Sequence, residues 1–211
     1  MSTFDLTAVP NFVSMQLQGN TAVYTSPLVA SQQTLDRGGL KWRATYTYTN
    51  LRNDVRADMM GLLAALRSQA NRMRVPVYDN PIRGAYGGTP IVDGSAQVGS
   101  AINLRGLSNN ITDWIKAGDY FSIDVNGVHE LKLCTADASS NGTGLITVPC
   151  EPRMRASPID GAAIWVEDGV LPKPQGVFLL SSSEAVWSSQ PGIAKRSNTS
   201  LEMIEDVFAT Q

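Results

Sequence analysis

Two stretches decide how this chain is read: Ala117-Gly118-Asp119-Tyr120-Phe121-Ser122-Ile123, and Leu145-Ile146-Thr147-Val148-Pro149-Cys150-Glu151-Pro152-Arg153-Met154-Arg155. In the first, Lys116 to Asp119 makes a turn, and Phe121, Ile123 and Val125 then alternate with Ser122 and Asp124, the period of a strand. Asn126-Gly127 is a two-residue hairpin signal, and Leu131 and Leu133 continue on the returning strand. Ser139 to Gly144 is a polar loop. Leu145 to Val148 forms a further strand, and Ala163 to Val166 a last one. Val98, Ala101, Ile102 and Leu104 belong to an earlier pair. Residues 91–168 therefore read as a compact barrel or sandwich of about five or six strands.

Outward from this module, Trp42 to Thr49 alternates cleanly, with Trp42, Ala44, Tyr46 and Tyr48 on one face and Arg43, Thr45, Thr47 and Thr49 on the other. Before it, residues 12–17 and 21–25 flank Gly19-Asn20 and predict a tight hairpin. Residues 26–39 read as a loop ending in Arg37-Gly38-Gly39. After Asn50 the period changes. Val55, Met59, Leu62, Leu63 and Leu66 make one apolar stripe of a helix over about 52–69, a core face laid on a sheet. Asn50 or Asn53 can cap it, Asp54, Asp58 and Arg67 suit its dipole, and Asn71 ends it. Residues 72–78 alternate again, with Pro76 marking an edge.

Turn-rich stretches at Asn80-Pro81, Gly84 to Pro90 and Leu171 to Gly176 punctuate the chain. The segment after 171 carries strands at Val177–Leu180 and Thr199–Val207 but is too short for a domain of its own. The predicted organisation is a discontinuous core, 1–90 with 171–211, and an inserted β module, 91–170, in a surface loop. The fold class expected is mainly β: a β-sandwich-type core with one packed α-helix, plus a small inserted barrel or sandwich.

The chain has 211 residues, 43% of them hydrophobic, enough for a sizeable core. Charged residues reach only 17%, against roughly 25% in an average soluble protein. Such a surface suits a protein whose faces are covered by neighbours. The net charge of −2 argues against broad nucleic-acid binding. No apolar run approaches the ~18 residues of a membrane span, and Met1 to Asp5 lacks the start of a signal peptide. Cys134 and Cys150 lie equally far from Gly142 and could face each other across a hairpin. A cytosolic origin favours free thiols.

The expected catalytic inventory is empty. His129 is the single histidine, so no multi-histidine metal site can form. It follows a hairpin turn and reads as an exposed strand residue. A Ser or Cys nucleophile would need it as base, and no Gly-x-Ser-x-Gly elbow is present. Gly84-Ala85-Tyr86-Gly87-Gly88 lacks the helix a phosphate loop requires. Asp119, at a turn entering a strand, suits side-chain-to-backbone bonding rather than acid catalysis. Arg52, Arg56, Arg67, Arg72 and Arg74 gather near the helix without the aromatic platforms a nucleic acid wants. Arg56, Arg67, Arg72, Arg74, Glu202, Glu205 and Asp206 are the candidate inter-subunit contacts; no catalytic residue, cofactor or metal is expected.

The aromatic strand Trp42–Thr49, the helix ending Leu63-Ala64-Ala65-Leu66-Arg67, the strand Arg72–Asp79, Lys116–Phe121, Val148–Arg155 and the closing Ser200–Asp206 together resemble the distal tail, or tail-hub, protein family of long-tailed bacteriophages. The resemblance implies a β-rich structural virion protein without enzymatic activity. It implies a ring, probably of six copies, that joins the tail tube to the tail tip or baseplate. The implied partners are other copies of the chain, the tail tube protein, and tip, baseplate or fibre proteins, with no sequence-specific nucleic acid and no membrane insertion. Assembly would take place in the host cytoplasm. A second reading makes the 92–168 module a carbohydrate-binding domain using Trp114, Tyr120 and Trp165. A third, a cell-wall hydrolase, lacks any clustered acid–histidine site.

Overall fold

The computed structural model describes residues 2–27, 29, 31–36, 38–78, 83–125, 127–167, 172–182, 187–189 and 197–207. In chain order these form β1 (Thr3–Asp5), β2 (Phe12–Gln18), β3 (Thr21–Thr25), β4 (Gln32–Asp36), β5 (Lys41–Leu51), α1 (Asn53–Leu66), β6 (Arg72–Pro76), β7 (Gly88–Val92) and β8 (Gly99–Leu107). There follow β9 (Tyr120–Val125), β10 (Val128–Cys134), β11 (Ile146–Met154), β12 (Ile164–Val166), β13 (Gln175–Leu180), β14 (Trp187–Ser189) and β15 (Ser197–Glu205). The fold is mainly β, with one helix and a barrel-like module.

Three sheets result. The first is seven-stranded, in the order β1-β6-β13-β15-β5-β2, with β14 paired to β15 off this path. The second is six-stranded, in the order β12-β9-β10-β11-β8-β7. A single bridge, Ile91 to Ala163, brings its two end strands together and nearly closes it into a barrel. The third is the hairpin β3–β4. Strands from before and after the barrel interleave in the first sheet, since β13 pairs with β6 and β15 with β5.

The alternation along β5 sets the face of that sheet. Trp42, Ala44, Tyr46 and Tyr48 are buried, and the register continues their row into β15, where Leu201 lies opposite Tyr46 and Met203 opposite Ala44. The helix closes part of this face with Met59, Leu63 and Leu66, while Val55 and Leu62 are partly covered. It spans Asn53–Leu66, shorter than the predicted 52–69. Its N-cap position, Arg52, makes no side-chain cap bond, and the Asn53 carboxamide oxygen accepts instead from the Arg56 guanidinium. At the other end Arg67 turns left-handed at φ 48°, and Asn71 Nδ2 donates to the Ala65 carbonyl, securing the exit.

Two expectations at the N-terminal side are corrected. β2 pairs with β5, not with β3, because that register turns Val13, Met15 and Leu17 toward the same face as Tyr46, Ala44 and Trp42. The stretch read as a loop contains β4, the true partner of β3. Its sequence, Gln-Gln-Thr-Leu-Asp, has no apolar period because it covers no core. The predicted turn residues Arg37, Asn80, Pro81, Asn126 and Leu171 lie outside the described residues. Val125 still stands opposite Val128, so the β9–β10 loop is the two-residue hairpin that Asn126-Gly127 suggested.

The barrel encloses its own core, including Trp114, Phe121, Ile123, Val148 and Val166. Tyr86 belongs to it too, so the chain enters the barrel before β7. Cys134 and Cys150 stand directly opposite on β10 and β11. Both are free and buried, and burial pushes their thiols up to about 11 and about 12. Inside with them, Lys132 Nζ lies 2.8 Å from Glu130 Oε2, both side chains essentially without solvent. The same ammonium donates to the Arg153 carbonyl at 3.1 Å.

β10 is buried on both faces. Glu130, Lys132 and Cys134 point into the barrel, whereas Leu131 joins the core of the seven-stranded sheet. Trp42 Nε1 donates to the Leu131 carbonyl at 3.0 Å. A Cβ on Gly176 would fall 3.1 Å from Leu131 Cβ and 2.8 Å from the Phe178 ring, so only glycine allows this approach.

Candidate functional site

Asp119 and His129, the residues weighed above for catalytic potential, are both buried in the fold. Asp119 is fully buried, and its Oδ2 accepts from the amides of Lys116 and Gly84 at 3.0 and 3.1 Å and from the Tyr86 hydroxyl at 2.8 Å. The local bond to Lys116 was legible in the turn; the two from Gly84 and Tyr86 were not, since they come from more than thirty residues away. Asp119 thus fixes the entry of the chain into the barrel. His129, expected on the surface, is only 6% exposed. It lies on the outward side of β10, where the barrel meets the sheet, and its ring centroid sits 4.0 Å from that of Trp165. Burial holds its pKa below the usual histidine value; Asp124 and Asp5 oppose that shift and Arg74 adds to it. Among the described residues no group of three His, Cys, Asp or Glu side chains could hold a metal ion.

The candidate contact residues divide into two sets. Glu205 and Asp206 turn inward. Arg155 grips Glu205 with two bonds of 2.8 and 2.7 Å and donates to the Leu40 carbonyl, while Glu205 Oε2 also accepts from the Trp42 amide at 2.9 Å. This charge-assisted clamp ties the end of β11 to β15 and β5. Asp206 pairs with Arg72 at 2.6 Å. Arg74 pairs with Asp5 at 2.6 Å. The second set stays outward: Glu202 lies 3.5 Å from Arg43 with both side chains half exposed, Arg56 is half-buried and Arg67 is exposed. Sequence spacing could not separate the sets, because the partner of Glu205 lies 50 positions away.

The aromatic side chains of a sugar-binding platform are engaged within the chain. Trp114 is fully buried and donates Nε1 to the Gly87 carbonyl. Tyr120 packs on Trp42 at 5.5 Å, and Trp165 on His129.

What the fold leaves unfinished lies elsewhere. β2 is a seven-residue strand at the end of the sheet order, paired on one side only among the described residues. Phe12, on its solvent face, is 65% exposed. Directly after it, β3 and β4 form an arm that, among the described residues, adds to neither larger sheet. Val23, Tyr24 and Leu35 on this arm are 57%, 55% and 51% exposed. A lone two-stranded ribbon is marginal in water, and long uncovered edges are sites of pairing with another chain.

The chain matches no known protein-family model and no curated protein sequence.

Proposed function

We propose that this chain is a structural subunit of a bacteriophage tail, a distal-tail or tail-hub protein that assembles into a ring joining the tail tube to the tip or baseplate. The observation that carries the reading is the pairing of one unfinished element with another: the open β2 edge and the uncovered β3–β4 arm, beside a barrel that has almost no edge of its own. Each would be completed by a neighbour. A head-to-tail contact of this kind closes into a ring when its rotation allows. The low charge content, 17% of residues, suits surfaces that end up between subunits. The resemblance seen in the strand, helix and closing segments supplies the tail context: six copies, with the tube protein on one side and tip, baseplate or fibre proteins on the other. The ring would form in the host cytoplasm and function in the virion.

Negative-stain imaging of the concentrated protein tests this. Rings with a central hole are expected, and deleting residues 21–36 is expected to leave folded single subunits. Strict monomers at every concentration, with purified tail tube protein added, would sink the reading.

A further inference from the structure

Where the barrel meets the end of the β2–β5 ladder, a groove of about 850 Å³ opens, within the ~300–1,000 Å³ of ligand clefts. Lys41 and Arg153 line it from opposite modules. Arg153 sits at an outward position of β11 and is exposed, while Lys41 is half-buried. Among the described residues neither has a carboxylate within salt-bridge distance. The third cation of the groove, Arg155, is already neutralised by Glu205. No carboxylate is present among the described lining residues, so the described lining carries positive charge on a chain whose net charge is −2. The rest of the wall is mixed: Val98, 71% exposed, and half-buried Leu40 offer apolar surface, Gln18 and Asn20 are polar, and Gly19 leaves the wall bare.

We propose that this groove is a docking site for an acidic, partly apolar peptide segment of another protein. Lys41 and Arg153 would take its carboxylates, and Val98 and Leu40 its apolar side chains. No aromatic ring lines the groove among the described residues, which removes the stacking platform that a nucleic-acid base requires and the one a sugar face would use. The assignment rests on groove chemistry alone and holds whether or not the chain closes into a ring.

The test is a display library of random short peptides, selected on the full chain and followed by fluorescence anisotropy of the selected sequences. Enrichment of Asp and Glu beside apolar residues is expected. Affinity should fall roughly tenfold or more in K41E and in R153E, with thermal unfolding unchanged in both variants because neither side chain is ion-paired among the described residues. Selected peptides without acidic enrichment, or binding indifferent to both charge reversals, would overturn the proposal. So would displacement of the peptide by an oligogalacturonate of higher affinity, which would assign the groove to an acidic glycan.

Discussion

The barrel and the seven-stranded sheet use the same material, alternating β-strands, and finish it differently. The barrel wraps its six strands until the first nearly meets the last, and it keeps even a lysine and a glutamate inside. The sheet stays open: one face is covered by the helix and by β10, and one end strand, β2, remains half paired. A nearly closed sheet leaves little edge to pair, whereas an open one keeps a strand edge available for pairing. The contrast separates a nearly closed module from an open one, which under the proposed function a neighbour completes.

The sharpest way to break this comparison is at the pair buried in the barrel. Lys132→Met takes the ammonium away from the buried Glu130 carboxylate and is expected to cost about 3–5 kcal/mol. The double replacement Glu130→Leu with Lys132→Met should recover most of that, because apolar side chains of similar volume need no partner there. Urea denaturation monitored at two wavelengths would measure both. A single variant as stable as the parent would mean that water reaches the pair.

A smaller effect is expected at the junction. Glu205→Gln removes the charge that Arg155 and the Trp42 amide share, and should cost about 2–3 kcal/mol. It should also split one unfolding transition into two, as barrel and sheet lose their clamp. One cooperative transition with an unchanged midpoint would show that Leu131 and Trp42 suffice to hold the modules together.

The pH response is expected to be smaller still. Burial depresses the pKa of His129 in the folded chain, so the unfolded chain binds its proton more readily. Stability contributed by the neutral ring is therefore complete above the unfolded value of roughly 6.5 and is lost as pH falls below it. The melting temperature should drop between neutral pH and mildly acidic buffer, and His129→Gln should flatten that drop. An identical pH profile in the variant would place the response on other groups.

These sites also mark where the sequence was and was not readable. The face of β5 could be read because one side is core and the other solvent, which leaves a clean period of two. The helix stripe was legible for the same reason, though its ends were not, since Asn53 spends its side chain on Arg56 rather than on a cap. β10 misled because it is covered twice. Leu131 and Leu133, read only as continuing the returning strand, face the sheet, and Glu130 and Lys132 point inward. His129 was placed on the surface for the same reason, as nothing local announces that a second module covers the outside of a barrel strand. β4 escaped because a strand that covers no core carries no apolar alternation. The arm, the feature with the most to say about assembly, was thus the least visible in the sequence.

The central claim, that another copy completes the open sheet, is tested most directly by amide hydrogen exchange at increasing protein concentration. The outward amides of Phe12–Gln18 and those of the β3–β4 arm should gain protection as concentration rises, while the amides of β9, β10 and β11 stay as they were. Equal protection of β2 and the arm at every concentration, up to the solubility limit, would contradict it.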